Sequence, residues 1–229
     1  MSTASPQDTL FKALEAALIL AAERDWDAVT MLEIATHAEL SLQDIYSIGD
    51  RDTITDSFDA WADRAMFSED IDLEDTPKEK LFETIMRRFE AIEPYRPGTI
   101  QLMRARDRRP LRRAALIQAR RTTAKWALAC SGLDNAAGAE RALTELGLVW
   151  VISKTERAWR SEKDDTFTAT MATLDEELAK LQERSSRMKD RFSNSVFSAR
   201  RPSNHDTDPQ TTTANAEPHA TPQSELDQA

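Results

Sequence analysis

Four segments of this chain open a helix with the same device. They are Ser5-Pro6-Gln7-Asp8, Thr30-Met31-Leu32-Glu33, Ser41-Leu42-Gln43-Asp44 and Thr76-Pro77-Lys78-Glu79. In each, a hydroxyl stands three residues ahead of a carboxylate, so each side chain can satisfy a backbone N–H that the first turn leaves unpaired. Proline at the first helical position, as in Pro6 and Pro77, is already set for the helix. Apolar residues at helical spacing follow every box: Leu10, Leu14, Ala17 and Ala21; Ile34 and Ala35; Ile45 and Tyr46, stopping at Gly49; Leu81, Phe82, Ile85, Phe89 and Ile92, stopping at Pro94. Asp50 caps a further helix carrying Ile54, Phe58, Trp61 and Ala65 on one face. Helices are also expected near Ile100–Met103, Leu111–Ala129 (closed by Gly132), Ala136–Trp159 and Asp165–Arg184. Only five glycines in 229 residues leave few breaks for strands and tight hairpins, so the expected class is all-α.

Several functions are set aside by what is scarce. The longest apolar runs, Ala16–Ala22 and Leu146–Ile152, have seven residues each, whereas a membrane-spanning helix needs about 20. The opening MSTASPQDTL lacks the basic and apolar regions of a secretory signal, so a cytoplasmic location is expected, with contact at a membrane surface left open. Cys130 is the single cysteine, and His37, His205 and His219 are the only histidines, too few for a cysteine or histidine metal site or a Ser/His/Asp hydrolase. No cofactor loop or nucleophile constellation stands out, and the expectation is a protein that is not an enzyme and carries no cofactor or metal.

Charge is placed unevenly. Residues 1–75 hold 18 acids and four bases, a net of −14; residues 76–201 hold 17 acids and 26 bases, a net of +9; residues 202–229 hold five acids and no Lys or Arg. The last stretch is rich in Pro, Thr, Asn and Gln and is expected to be disordered from about Pro202. Arg104–Arg113 holds six arginines. Two readings stand for it: a patch for an anionic partner, or electrostatic docking onto the acidic N-terminal part, the second being preferred.

Two short capped helices, at Thr30–Ala38 and Ser41–Ile48, lie about one turn apart, the layout of a helix-turn-helix. The stretch AALILAAERDWDAVTMLEIATHAELSLQDIY resembles the N-terminal module of TetR-type transcriptional regulators, through Ala16, Ala17, Leu18, Ala22, Glu23, Arg24, Trp26, Ala28, Thr30, Ile34, Ala35, Ala38, Ser41 and Tyr46. The likeness covers about residues 10–66. It implies a TetR-like all-α fold, an operator DNA as partner, and DNA contacts from Thr30, Ser41, Leu42, Gln43 and Tyr46. The chain departs from the family at Asp25 and Glu39, where glycine is usual. It also departs at SLQDIYSIG, a would-be recognition helix with no Lys or Arg. Affinity for DNA comes largely from cations that neutralise phosphates, and residues 1–66 carry four bases against 13 acids.

The expected division is a flexible N-terminus at 1–9, the helix-turn-helix module at 10–66, a helical ligand-binding and dimerisation domain at 67–185, a basic amphipathic segment at 186–201 and the acidic tail at 202–229. Phe89, Met103, Trp126 and Trp150, with Met86 and Trp159 beside them, are candidates for an apolar ligand pocket; an ordinary core would use the same residues. Phe167, Met171, Leu174, Leu178 and Leu181 form a narrow seam at steps of four and three, suited to helix–helix packing either within the chain or, the reading preferred, between two copies. The resemblance implies a homodimer through the last two long helices, with Leu146, Trp150, Met171, Leu174 and Leu178 at the interface. Lys180–Arg201 has seven bases against two acids, and Met188, Phe192 and Val196 recur on one face beside Phe197. That pattern fits either a membrane-surface helix or a solvated helix end. The stretch AWRSEKDDTFTATMATLDEEL (Ala158–Leu178) is similar to the last core helix of a TetR-fold ubiquinone-biosynthesis accessory family, which binds lipid and not DNA. Two functional readings follow: a ligand-responsive DNA-binding regulator, taken first, and a lipid-binding accessory protein acting at the membrane surface.

Overall fold

In the computed structural model the chain is described over residues 5–67, 74–109 and 113–198, with the side chains of 113–114 and 188–198 excepted. Leu111 and Arg112 of the arginine-rich stretch, the tail from Pro202, and the side chains of Met188, Phe192, Val196 and Phe197 therefore lie outside the described residues. The chain divides into two units, Met1–Asp190 and Arg191–Ala229. In the second, only the end of the last helix is described.

Every element among the described residues is helical: α1 Pro6–Glu23, α2 Met31–His37, α3 Leu42–Ile48, α4 Arg51–Asp56, α5 Phe58–Asp63, α6 Pro77–Ile92, α7 Arg96–Asp107, α8 Arg113–Cys130, α9 Gly138–Ser161 and α10 Thr168–Ser198, with single 3₁₀ turns at Trp26–Ala28, Arg64–Met66 and Glu93–Tyr95. The expected all-α class holds. The caps form as the residue pattern demands. Thr30, Ser41 and Thr76 each make both halves of a capping box, and Ser5 and Asp50 accept the N–H groups of Asp8 and Thr53. The Thr30 N–H and hydroxyl hold the Glu33 carboxyl below its usual range, and Thr76 does the same for Glu79.

Three boundaries differ from the sequence expectation. The helix after Asp50 is broken at Ser57 into α4 and α5; Ile54, Phe58, Ala62 and Met66 are buried, and Trp61 and Ala65 are half-buried. α7 starts at Arg96, because Pro97 falls where a first turn accepts proline. α10 runs on to Ser198, well past Arg184. Of the two positions where a left-handed residue would be costly, only Glu39 adopts one, at φ 51°. Asp25 stays at φ −58° and uses its carboxylate to accept the Asp27 N–H, so that turn carries no such strain.

α1 is the axis of the first unit. Its small and apolar residues Ala13, Leu14, Ala16, Ala17, Leu18 and Ala21 are buried almost all round. One side takes α2, α3 and α4, and the other lies along α7. The approach to α7 is close enough that a methyl at Gly98 would collide with the Leu18 carbonyl oxygen. A single apolar cluster then runs from Ala13 through Ile85, Phe89, Leu102 and Trp159 to Leu178, so residues 10–66 and the helices after them share one core. Each large side chain buried there contributes about 1.5–3 kcal/mol.

Candidate functional site

The helix-turn-helix face is built by α2 and α3, whose buried residues Ile34, Ala35 and Ile45 dock on α1 and fix which side looks outward. Leu42, Gln43, Ser47 and Tyr46 point to solvent, Tyr46 being 88% exposed. Ser41 and Thr30 lie at the two helix N-termini, the usual place for a phosphate. Here an internal carboxylate already occupies each terminus: Asp44 accepts from the Ser41 N–H and hydroxyl at 3.2 and 2.7 Å, and Glu33 from those of Thr30 at 2.8 Å.

The arginines of this module are turned to internal work. Arg24 pairs with Glu33 at 2.8 Å. Arg51 donates to the Trp26 and Asp27 carbonyls and lies over the Trp26 ring at 4.5 Å. Arg64 stands over the Phe11 ring at 5.1 Å. The basic stretch that follows is turned the same way. Arg108 reaches Asp27 at 3.0 Å and Asp25 at 4.0 Å, Arg109 pairs with Asp52, and Arg106 is buried against Asp59 at 3.1 Å. Through Arg106, Arg108 and Arg109 the arginine-rich stretch docks on the acidic N-terminal module, the reading preferred from charge.

Behind that surface lies a buried ionic cluster that sequence reasoning missed. Asp59 receives Arg88 at 2.8 Å, Arg106 at 3.1 Å and Arg120 at 3.5 Å. Asp63, one turn on, accepts Arg88 Nε at 2.8 Å and the Thr123 hydroxyl at 2.8 Å, and Arg120 also pairs with Glu156. Three guanidiniums thus face three carboxylates drawn from α5, α6, α7, α8 and α9. Burial works to raise the Asp59 carboxyl, but the three arginines together outweigh it and hold it at about 2. Asp63 has one arginine and is pushed up by burial. Burial likewise pulls Arg120 down to about 10, against the pull of Asp59. The sequence signal was present: Asp59, Asp63 and Arg88 interrupt apolar faces at Phe58–Ala62 and Ile85–Phe89, and a charge at a core position needs a buried partner.

The pocket candidates occupy three different settings. Phe89 and Met103 are fully buried in the core, Phe89 against Trp159 at 6.1 Å between ring centres and Met103 beside Arg160. Trp150 stands half-exposed on α9, donating to Glu177 at 3.1 Å with the Lys154 ammonium over its ring. Trp126 lines a cleft of about 300 Å³ between α5 and α8, in edge contact with Phe67 at 5.0 Å. Of the interface candidates, Leu146, Trp150 and Met171 are exposed, joined by Leu143, while Leu174 and Leu178 are buried within the chain. No helix among the described residues is long and apolar enough to cross a membrane, and none of their His, Cys, Asp and Glu form a metal-holding group of three or more.

No protein-family profile matches the sequence, and no curated protein does. The fold has solved counterparts. A TetR transcriptional regulator from Nitrosomonas europaea aligns over 78% of this chain and 99% of its own, at 20% identity and a TM-score of 0.62. Another from Rhodococcus sp. RHA1 aligns over 77% and 97%, at 14% identity and a TM-score of 0.59. The chain therefore has the fold of TetR regulators, in agreement with the expectation from residues 10–66.

Proposed function

We propose that this chain is a transcriptional regulator of the TetR type, which binds DNA through α2 and α3 and responds to a small ligand in its helical body. The observation that carries the reading is the helix-turn-helix itself. Two seven-residue helices, both fully capped, present Leu42, Gln43 and Tyr46 outward on a fold shared with regulators over nearly their whole length. Gln43 suits bidentate contact with adenine, and Leu42 and Tyr46 suit the thymine methyl and the sugar–phosphate edge. With no cation on α3, binding would rest on base and shape contacts, so its salt dependence would be shallow. The buried cluster supports coupling, because Asp59 and Asp63 on α5 are held by arginines from α6, α7 and α8, and repacking those helices would move the module. Leu143, Leu146, Trp150 and Met171 offer an apolar face for a second copy, completing a homodimer. Selection from a random duplex library at low salt tests the reading. Gln43→Ala should weaken the selected site by about 1–3 kcal/mol, and an unchanged affinity would remove α3 as the reader.

A second reading has a specific observation in its favour. The arginines of the module are engaged internally, and carboxylates cap the helix N-termini that a phosphate would use. A lipid-binding accessory protein that has no DNA role fits that surface. Its membrane contact would come from Met188, Phe192, Val196 and Phe197 in the basic segment 186–201. Co-sedimentation with anionic liposomes, lost in Phe192→Ser/Phe197→Ser, would favour it; equal sedimentation of variant and wild type would remove it.

A further inference from the structure

The recognition helix α3 carries no cation, yet two arginines from outside the module end at its edge. Arg108 is the C-cap of α7, and Arg109 follows it. Arg108 meets Asp27 at 3.0 Å and Asp25 at 4.0 Å, and Arg109 pairs with Asp52. Asp27 stands three residues before Thr30, the N-cap of α2, and Asp52 three residues after Gly49, which closes α3. Three residues of chain span at most about 10 Å, so both guanidiniums lie beside the two helices that would face a duplex.

The pair that holds Arg108 differs from those around it. Arg106, one turn earlier on the same helix end, is buried with Asp59 and closed to water. Arg24 is more open, but its partner Glu33 is itself fixed by the Thr30 N–H and hydroxyl. The side chains of Arg108 and Asp27 are each 59% exposed, and Arg108 is the one partner of the Asp27 carboxylate among the described residues. An ion pair that open to water contributes little, so a stronger anion can take it apart. A duplex supplies such anions: each phosphate that an arginine neutralises releases condensed counterions, and a guanidinium meets two phosphate oxygens with parallel N–H bonds. Arg109, paired with Asp52, keeps the end of α7 against α4 while Arg108 exchanges partners.

We infer that Arg108 is the cation that contacts the DNA backbone, held by Asp27 in the free protein and passed to a phosphate when α3 enters the groove. The inference rests on the DNA-binding reading and adds to it a contact from α7, the helix that also carries Arg106 into the buried cluster. Fluorescence anisotropy with the full-length protein, a duplex selected from a random library and its scrambled control tests it through both members of the pair. Arg108→Gln should weaken both duplexes by the same several-fold factor, since a phosphate contact carries no sequence information. Asp27→Asn should tighten both several-fold, because it frees Arg108. Loss of affinity in both variants would mean a pair that only docks α7 on the module, and would overturn the inference. With one Arg108 from each copy of a dimer, the log–log salt slope should be about −1.8 in the wild type. It should fall toward zero in Arg108→Gln and be kept in Arg108→Lys, which retains the charge. The double variant Asp27→Asn/Arg108→Gln should bind as Arg108→Gln does. Tightening by Asp27→Asn that persists without Arg108 would be a general loss of negative charge, and would overturn the inference. Unchanged affinity in Arg108→Gln, beside a wild type that binds, would overturn it and leave the regulator reading in place. Absence of binding by the wild type at micromolar protein would remove both.

Discussion

Replacing Asp59 by asparagine removes one charge from the centre of the buried cluster while keeping the size of the side chain. The three guanidiniums that converge on it, at 2.8, 3.1 and 3.5 Å, would lose their shared counter-charge in a site closed to water. The Asp59 carboxyl falls from 3.8 to about 2 on folding, and the ionised form is thereby favoured by about 2–3 kcal/mol. Leaving buried guanidiniums short of a partner pushes the loss toward about 3–5 kcal/mol. Against a total stability of roughly 5–15 kcal/mol, that is a large share. The sign with pH follows from the depressed value. The contribution is complete above the unfolded carboxyl value and is lost as pH falls toward 2, so Asp59→Asn should flatten that part of the acid limb. Asp63 is perturbed in the opposite direction, since burial raises it. Its charged form is the disfavoured one, and Asp63→Asn should cost clearly less than Asp59→Asn. Urea unfolding of both variants at pH 7, read by helical circular dichroism, compares them. An Asp59→Asn midpoint equal to wild type, or equal losses for the two, would refute the electrostatic reasoning.

Three further variants probe packing and assembly. Gly98→Ala would drive a methyl into the Leu18 carbonyl oxygen, part of a backbone that cannot step aside, and should lower stability by about 3 kcal/mol. Gly147→Ala meets only the end of the Leu181 side chain, so a rotamer change and better helix propensity should leave the melting temperature nearly unchanged. Leu146→Glu/Trp150→Glu places charges on side chains already exposed in one chain. If the proposed homodimer forms through this face, the variant should halve the mass in light scattering without loss of helix; a mass equal to that of the wild type would remove this face as a dimer contact.

The fold was legible because its signals are local. Capping boxes at Thr30, Ser41 and Thr76 and apolar spacing along α1 and α6 depend on neighbours within a turn or two, and the structure repeats them residue by residue. The arginine-rich stretch could be read from the charge balance alone, since a net of −14 in the first 75 residues needs a counterpart. What escaped depends on contacts far apart in sequence. Asp59 meets Arg106 across 47 residues and Asp63 meets Thr123 across 60, and no periodicity reports which charged residues on different helices will share a buried site. The break at Ser57 escaped for a different reason: it is a local turn in which the Ser57 hydroxyl bonds the Ile54 carbonyl, and the apolar spacing runs through it without a mark. Phe89 and Met103 were ambiguous between cavity and core because apolar helical spacing is common to both. The cleft beside Trp126 needed Phe67, brought in by the 3₁₀ turn at Arg64–Met66.

The regulator reading stands or falls on DNA. A fluorescence-anisotropy titration of labelled duplexes from the sequence flanking the gene, at low salt and then at rising salt, measures it most directly. Saturable binding to one duplex over its scrambled control is expected, with a log–log salt slope of about −2 or shallower, because α3 brings no cation to the phosphates. Absence of binding at micromolar protein, or binding that ignores sequence and collapses steeply with salt, would contradict the regulator.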